Sequence, residues 1–189
     1  MVLNTFNINA PSKSIVTATA NFMGKDAQVS NSRTSGATDV SAPANDVMNT
    51  TSNVGRIASN GVAIASPNYI TEVNIQINNN RRRQDAVGEL GSVGIGSGEF
   101  NISGNHNTYF GDKSLLEELI NNKATSFDMR FSKNNQVILF DLPNVKYSSG
   151  SPDVGGKNQD VFLNLGFQAI RHPTLLYTIN VNAFHYIPS

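Results

Sequence analysis

Apolar and polar residues alternate with a period of two in about eight stretches of this chain, which leaves little room for anything but β-structure. Leu3, Thr5 and Asn7 alternate with Val2, Asn4, Phe6 and Ile8. Residues 15–23 are rich in Val, Thr, Ile and Phe and close at Gly24-Lys25-Asp26, a turn composition. Ile70, Val73, Ile75 and Ile77 set an apolar face against Glu72, Asn74, Gln76 and Asn78, and Phe127, Met129 and Phe131 do so against Ser126, Asp128 and Arg130. Residues 99–110, 136–142, 160–169 and 175–187 complete the strands. Pro143 is expected to stop the third of these to last, and Arg171-His172-Pro173 to split the final two.

One helix is expected, over about residues 113–122. Gly111-Asp112 breaks the preceding strand, Ser114 and Glu117 have capping-box spacing, and Asn121-Asn122 ends the apolar pattern of Leu116, Leu119 and Ile120. About ten residues of helix cannot stand alone, so its leucines must pack on a sheet. The expected fold is mainly β, a sandwich or barrel with one flanking helix and long loops. Residues 27–60 differ from the rest: Ser, Thr, Asn, Ala and Gly dominate, Pro43 interrupts, and no period persists. So long a loop in a single domain is either a flexible excursion or an arm that orders against a neighbouring subunit. Residues 144–158 and the glycine-punctuated stretch 88–98 also read as loops.

Charge excludes several functions. Lys plus Arg and Asp plus Glu are 14 each among 189 residues, so the net charge is zero, with a pI of about 6.8. Nucleic-acid binding driven by net charge is disfavoured. The polarity is uncharged instead: 26 Asn, 19 Ser and 12 Thr. No apolar run is long enough to cross a bilayer as a helix, so membrane insertion is not expected. Residues 1–10 alternate where a signal peptide would be an apolar block. With no Cys, thiolate chemistry, disulfides and Cys-based metal sites are impossible.

Enzymatic chemistry finds no support. His106, His172 and His185 sit on separate segments without the spacing of a metal site, and each reads as structural. The glycines from Gly91 to Gly98 are followed by a strand, whereas a phosphate cradle needs a helix opening directly after it. Gly96-Ser97-Gly98 lacks the spacing of a nucleophile elbow. No catalytic residue, cofactor or metal is therefore expected. The one charge run, Arg81-Arg82-Arg83 with Asp85 close behind, is either a solvated hairpin tip, a phosphate contact or an inter-subunit contact. A sugar-binding sandwich is disfavoured by the absence of Trp and the presence of only 5 Tyr.

The order of motifs carries more. Val2-Leu3-Asn4-Thr5-Phe6 is followed by Phe22-Met23-Gly24-Lys25, Met48-Asn49-Thr50 and Ile75-Gln76-Ile77-Asn78-Asn79-Asn80 with Ala86-Val87-Gly88. Then come Phe100-Asn101-Ile102-Ser103-Gly104, Tyr109-Phe110, the helix, Thr125-Ser126-Phe127 and Leu142-Pro143-Asn144-Val145-Lys146-Tyr147, ahead of Ser149-Gly150-Ser151-Pro152 and Gly156-Lys157. In this order the chain resembles the phage tail tube protein family, the major tail proteins of long-tailed phages, over nearly its whole length.

The resemblance implies a single tail tube domain over residues 1–189 whose copies form rings, most simply hexamers. The rings stack into a hollow tube through which phage DNA reaches the host. Longer members carry another half before the position of Val2, so the chain is either a short member or one half of a longer one; a fused pair would close rings of three. The implied partners are the protein itself, the tape measure, terminator and baseplate or tip proteins, and a sheath where the tail is contractile, with DNA in transit. The location is the virion, after synthesis in the host cytoplasm. Another ring or tube component (a terminator, a baseplate tube or a secretion-system inner tube) is the alternative. A DNA conduit needs a lining that holds phosphate weakly. The expected lumen-facing residues are therefore Glu72, Asn74, Gln76, Asn164, Asn180 and Asn182, and the expected inter-subunit contacts are Arg81, Arg82, Arg83 and Asp85.

Overall fold

The computed structural model describes residues 1–27 and 29–185. Twelve strands and one helix follow the chain: β1 (Val2–Pro11), β2 (Thr17–Met23), β3 (Val54–Ser59), β4 (Val62–Ala63), β5 (Ile70–Asn78), β6 (Arg82–Gln84), β7 (Gly94–Gly96), β8 (Asn101–Tyr109), α1 (Ser114–Ile120), β9 (Thr125–Lys133), β10 (Gln136–Val154), β11 (Val161–Ala169) and β12 (Asn180–Phe184). The expected mainly-β class and the single helix are present. The expected last strand shrinks to β12, and its final residues, 186 and 187, lie outside the described ones.

Ten strands form one antiparallel sheet in the order β2-β1-β5-β8-β11-β10-β9-β3-β4, with β12 also on β10. Within the chain this sheet is open and does not close into a barrel. It folds over on itself instead. β11 and β10 separate β8 from β9, so a flat sheet would hold them about 14 Å apart. The rings of His106 on β8 and Phe127 on β9 nevertheless stack with centroids 5.8 Å apart. Two layers therefore enclose a core of Ile8, Val73, Ile75, Ile102, Phe127, Met129, Leu142, Val145, Leu163, Leu165 and Phe167. Leu115 of α1 joins that core.

β10 joins the layers. Its 19 residues run through Pro143, which does not end the strand. The first half pairs with β9 up to Val145, and from Val145 onward the strand pairs with β11. Pro143 falls in the register break between Leu142 and Val145, where a missing N–H costs no ladder bond. Most of the stretch expected as a loop after it is thus strand. β12 takes the free side of the first half, with Asn180 opposite Asp141 and Asn182 opposite Leu139.

Two tight turns make hairpins, the first of them in a stretch where alternation reveals no strand. Asn60 and Gly61 have φ of 51° and 74°, a two-residue turn that pairs Ser59 with Val62. β3 thereby lies in the stretch read as loop, and it pairs with β9. Asn134 and Asn135, at φ of 50° and 59°, make the equivalent turn between β9 and β10. The helix is also capped differently from expectation. Ser114 lies inside α1, and the carboxylate of Asp112 accepts its N–H at 2.8 Å.

Candidate functional site

Six strands, β2, β1, β5, β8, β11 and the second half of β10, share a face turned away from the core. The register lays its side chains in rows. Thr19, Asn7, Gln76, Ser103, Gln168 and Lys146 form one row across all six strands. Thr17, Asn9, Asn74, Asn105, Gly166 and Ser149 form the next. Glu72, Asn107, Asn164 and Ser151 make a third. Along β1, β5, β8 and β11 the alternate residues point toward the core, whereas β2 and residues 148–154 of β10 extend beyond it with both faces exposed.

The face is nearly uncharged. On these strands only Glu72, Lys146 and Asp153 carry charge, and they belong to different rows. The other layer contrasts with it: Arg56 Nε and Nη2 donate to the two carboxylate oxygens of Asp128 at 3.0 and 2.9 Å, with Arg130 and Asp141 alongside.

Of the residues expected to line a lumen, Glu72, Asn74, Gln76 and Asn164 share the polar face. Asn180 and Asn182 do not. They lie on β12 beside Asp141 and Leu139, in the layer on the far side of the core. Alternation also marked residues of the face that were passed over: Asn7 and Asn9 on β1, and Ser103, Asn105 and Asn107 on β8, have the same period of two as Asn74 and Gln76.

The arginine run opens the β6–β7 hairpin at the end of β5, and much of its hydrogen bonding stays within that hairpin. Arg81 donates to the Ser97 hydroxyl, Arg82 to the Ser97 carbonyl at 3.3 Å, and Arg83 to Ser92 Oγ at 2.7 Å. Ser92 Oγ in turn donates to Asp85 at 2.7 Å. Beyond them the tip holds Val87 and Leu90 fully exposed. Residues 29–47 are exposed throughout, with Arg33 paired to Asp39 and the Val47 carbonyl accepting from Lys133 Nζ at 2.6 Å.

Among the described residues, His106, His172 and a carboxylate lining a cleft are tied into the fold. His106 is fully buried; its Nε2 lies 3.0 Å from the Tyr147 hydroxyl, and burial pulls its pKa from 6.5 to about 4. His172 Nδ1 accepts from the backbone N–H groups of Thr174 and Leu175, which fixes a turn. A cleft of about 390 Å³ between β4 and α1 contains Asp112, but hydrogen bonds from Ser114 and then Asn68 hold that carboxyl below its usual range, ionised and structural. Among the described residues no cluster of three or more His, Asp or Glu could hold a metal ion, and no helix is long and apolar enough to cross a membrane.

A large antiparallel sheet with one sparsely charged polar face and open edges is a surface suited to association with other chains. The family model for phage tail tube proteins matches residues 1–169, and the chain belongs to that family. It is a family of structural tail proteins, which assemble with themselves and with other tail components in the virion. No individually curated protein matches the chain.

Proposed function

We propose that this chain is the major subunit of the tail tube: copies close into hexameric rings, the rings stack into a hollow tube, and DNA passes through the lumen to the host. The observation that carries the reading is the six-strand polar face. DNA meeting such a surface finds amides and hydroxyls but only one cation, Lys146, among its rows. Binding through phosphate neutralisation needs several cations per site, so the polymer is repelled weakly by Glu72 and Asp153 and slides. Glu72, Asn74, Gln76 and Asn164 then line the lumen.

The β6–β7 hairpin, with Arg81, Arg82, Arg83 and Asp85 at its base, and the exposed stretch 29–47 reach neighbouring subunits in this reading. Too few apolar residues lie in 29–47 to bury a core of their own, so that stretch orders when subunits associate. The tape measure, terminator and baseplate proteins meet the tube at its ends and in its lumen. A cryo-EM reconstruction of the purified, assembled protein tests the proposal. Hollow stacked rings with β5 facing inward are expected; isolated rings, or tubes with β5 on the outer wall, refute it.

A further inference from the structure

At one end the polar face gives way to aromatic rings. Beyond the row of Glu72, Asn107, Asn164 and Ser151, the next row holds Tyr69, Tyr109, Phe162 and Asp153. Phe162 pairs with Tyr109 on one side and with Asp153 on the other. Tyr69 stands opposite Tyr109, whose N–H donates to its carbonyl at 3.0 Å. A β-bulge puts it there. The register slips at Thr71, between Ile70 and Glu72, so Ile70 packs on the core and Tyr69 turns outward. Strict alternation from Glu72 would have put Ile70 on the polar face and Tyr69 against the core.

The tyrosines do not fill the interior: Tyr69 is 56% exposed and Tyr109 38%. The Tyr109 and Phe162 rings lie against each other, with centroids 5.0 Å apart and planes 33° from parallel. Carboxylates flank them, Asp153 at the end of the row and Glu72 in the row beside it, and neither row carries a cation. We propose that this aromatic row binds a polypeptide, an amphipathic helix presenting apolar and basic side chains on one face. The proposal rests on the reading of the polar face as a lumen wall and assigns that wall a second ligand chemistry.

Charge and shape both favour that occupant. Aromatic faces attract apolar side chains and cations alike, and the two carboxylates complement Lys or Arg set among them. Spacing fits as well. Adjacent strands lie about 4.8 Å apart, and helix residues three or four apart present side chains at about 5–6 Å. A helix laid across the strands therefore sets successive side chains over Tyr69, Tyr109 and Phe162. Duplex DNA fits poorly, because its bases are stacked out of reach and its phosphates meet Asp153 and Glu72. An acidic helix meets the same repulsion. The amide rows let a polymer slide, whereas the aromatic row holds one with the right side chains.

The chain has no tryptophan, so a peptide carrying one reports its own binding by fluorescence. The probe is a helical peptide of Leu and Lys with a single Trp, compared with a counterpart that has Glu for Lys and with a labelled DNA duplex. Assembled protein is expected to bind the basic peptide and neither of the others. Tyr69→Ser with Tyr109→Ser should weaken that binding about tenfold or more, with the melting temperature and tube assembly of the wild type. Asp153→Asn, at an exposed position, should weaken it less and in the same direction. Equal peptide binding by wild type and the tyrosine variant overturns the assignment. So does a duplex that binds wild type but not the variant, or a variant whose rings form but no longer stack, since the row would then hold DNA or a neighbouring ring. Each of these leaves the tube reading standing. Tubes with the polar face on the outer wall remove both.

Discussion

His106 makes the free subunit sensitive to acid, by an amount the structure allows one to work out. The imidazole is buried among Phe127, Phe167 and Tyr147, and its Nδ1 has no hydrogen-bond partner. A proton there would be a buried charge without a counter-ion, which is why the folded-state pKa falls from 6.5 to about 4. The unfolded chain titrates at the ordinary value, so between these two pH values it binds the proton that the fold rejects. Stability is therefore full above about pH 6.5 and falls as the pH drops toward 4. At 1.4 kcal/mol per tenfold, the loss is capped at about 3 kcal/mol and reaches about 2 kcal/mol at pH 5. Urea unfolding of the dilute subunit, followed by far-ultraviolet circular dichroism at pH 8 and pH 5, measures it. Carboxylates titrate too, so the decisive quantity is the difference between wild type and His106→Gln, whose side chain is neutral at both pH values. Wild type should lose about 2 kcal/mol more than the variant between the two conditions. Equal losses would refute the argument.

Three further substitutions probe the fold around the two layers. A Cβ at Gly104 would collide with the Asn74 carbonyl and the Phe167 ring, so Gly104→Ala should cost about 2 kcal/mol through overpacking, seen as a lower melting temperature. Buried Asn68 accepts from the N–H groups of Gly111 and Asp112 and donates to Asp112 and Ser114; Asn68→Ala strands those groups and should cost about 3 kcal/mol, with proteolysis opening near α1. Arg56→Lys should leave the denaturant midpoint nearly unchanged, because the guanidinium paired with Asp128 is about 43% exposed and water already screens it.

Strands whose one face is buried were legible in the sequence. β5 and β9 read directly from their alternation, because the side chains of such a strand must segregate. β3 escaped because Val54-Gly55-Arg56-Ile57-Ala58-Ser59 has no clean period, although Asn60-Gly61 right after it is a strong hairpin signal. The passage of β10 through Pro143 was hidden for another reason. Proline is incompatible with a regular ladder but not with a register break, and only the partner strand creates the break. Of the candidate lumen residues, those on β5 and β11 came together; Asn180 and Asn182 have the same local polarity but a different neighbour in the sheet.

The sequence by itself determined which residues of each strand are polar, that charge would be sparse among them, and, through the order of its motifs, the family. Those properties are local, since a side chain's polarity and its two-residue period do not depend on distant contacts. Tertiary structure decided which strands lie side by side, hence that rows from six strands merge into one polar face while β12 is carried behind the core. Strand order depends on the fold-over that brings His106 onto Phe127, a contact between positions 21 residues apart in sequence and three strands apart in the sheet. No local period encodes a contact of that kind.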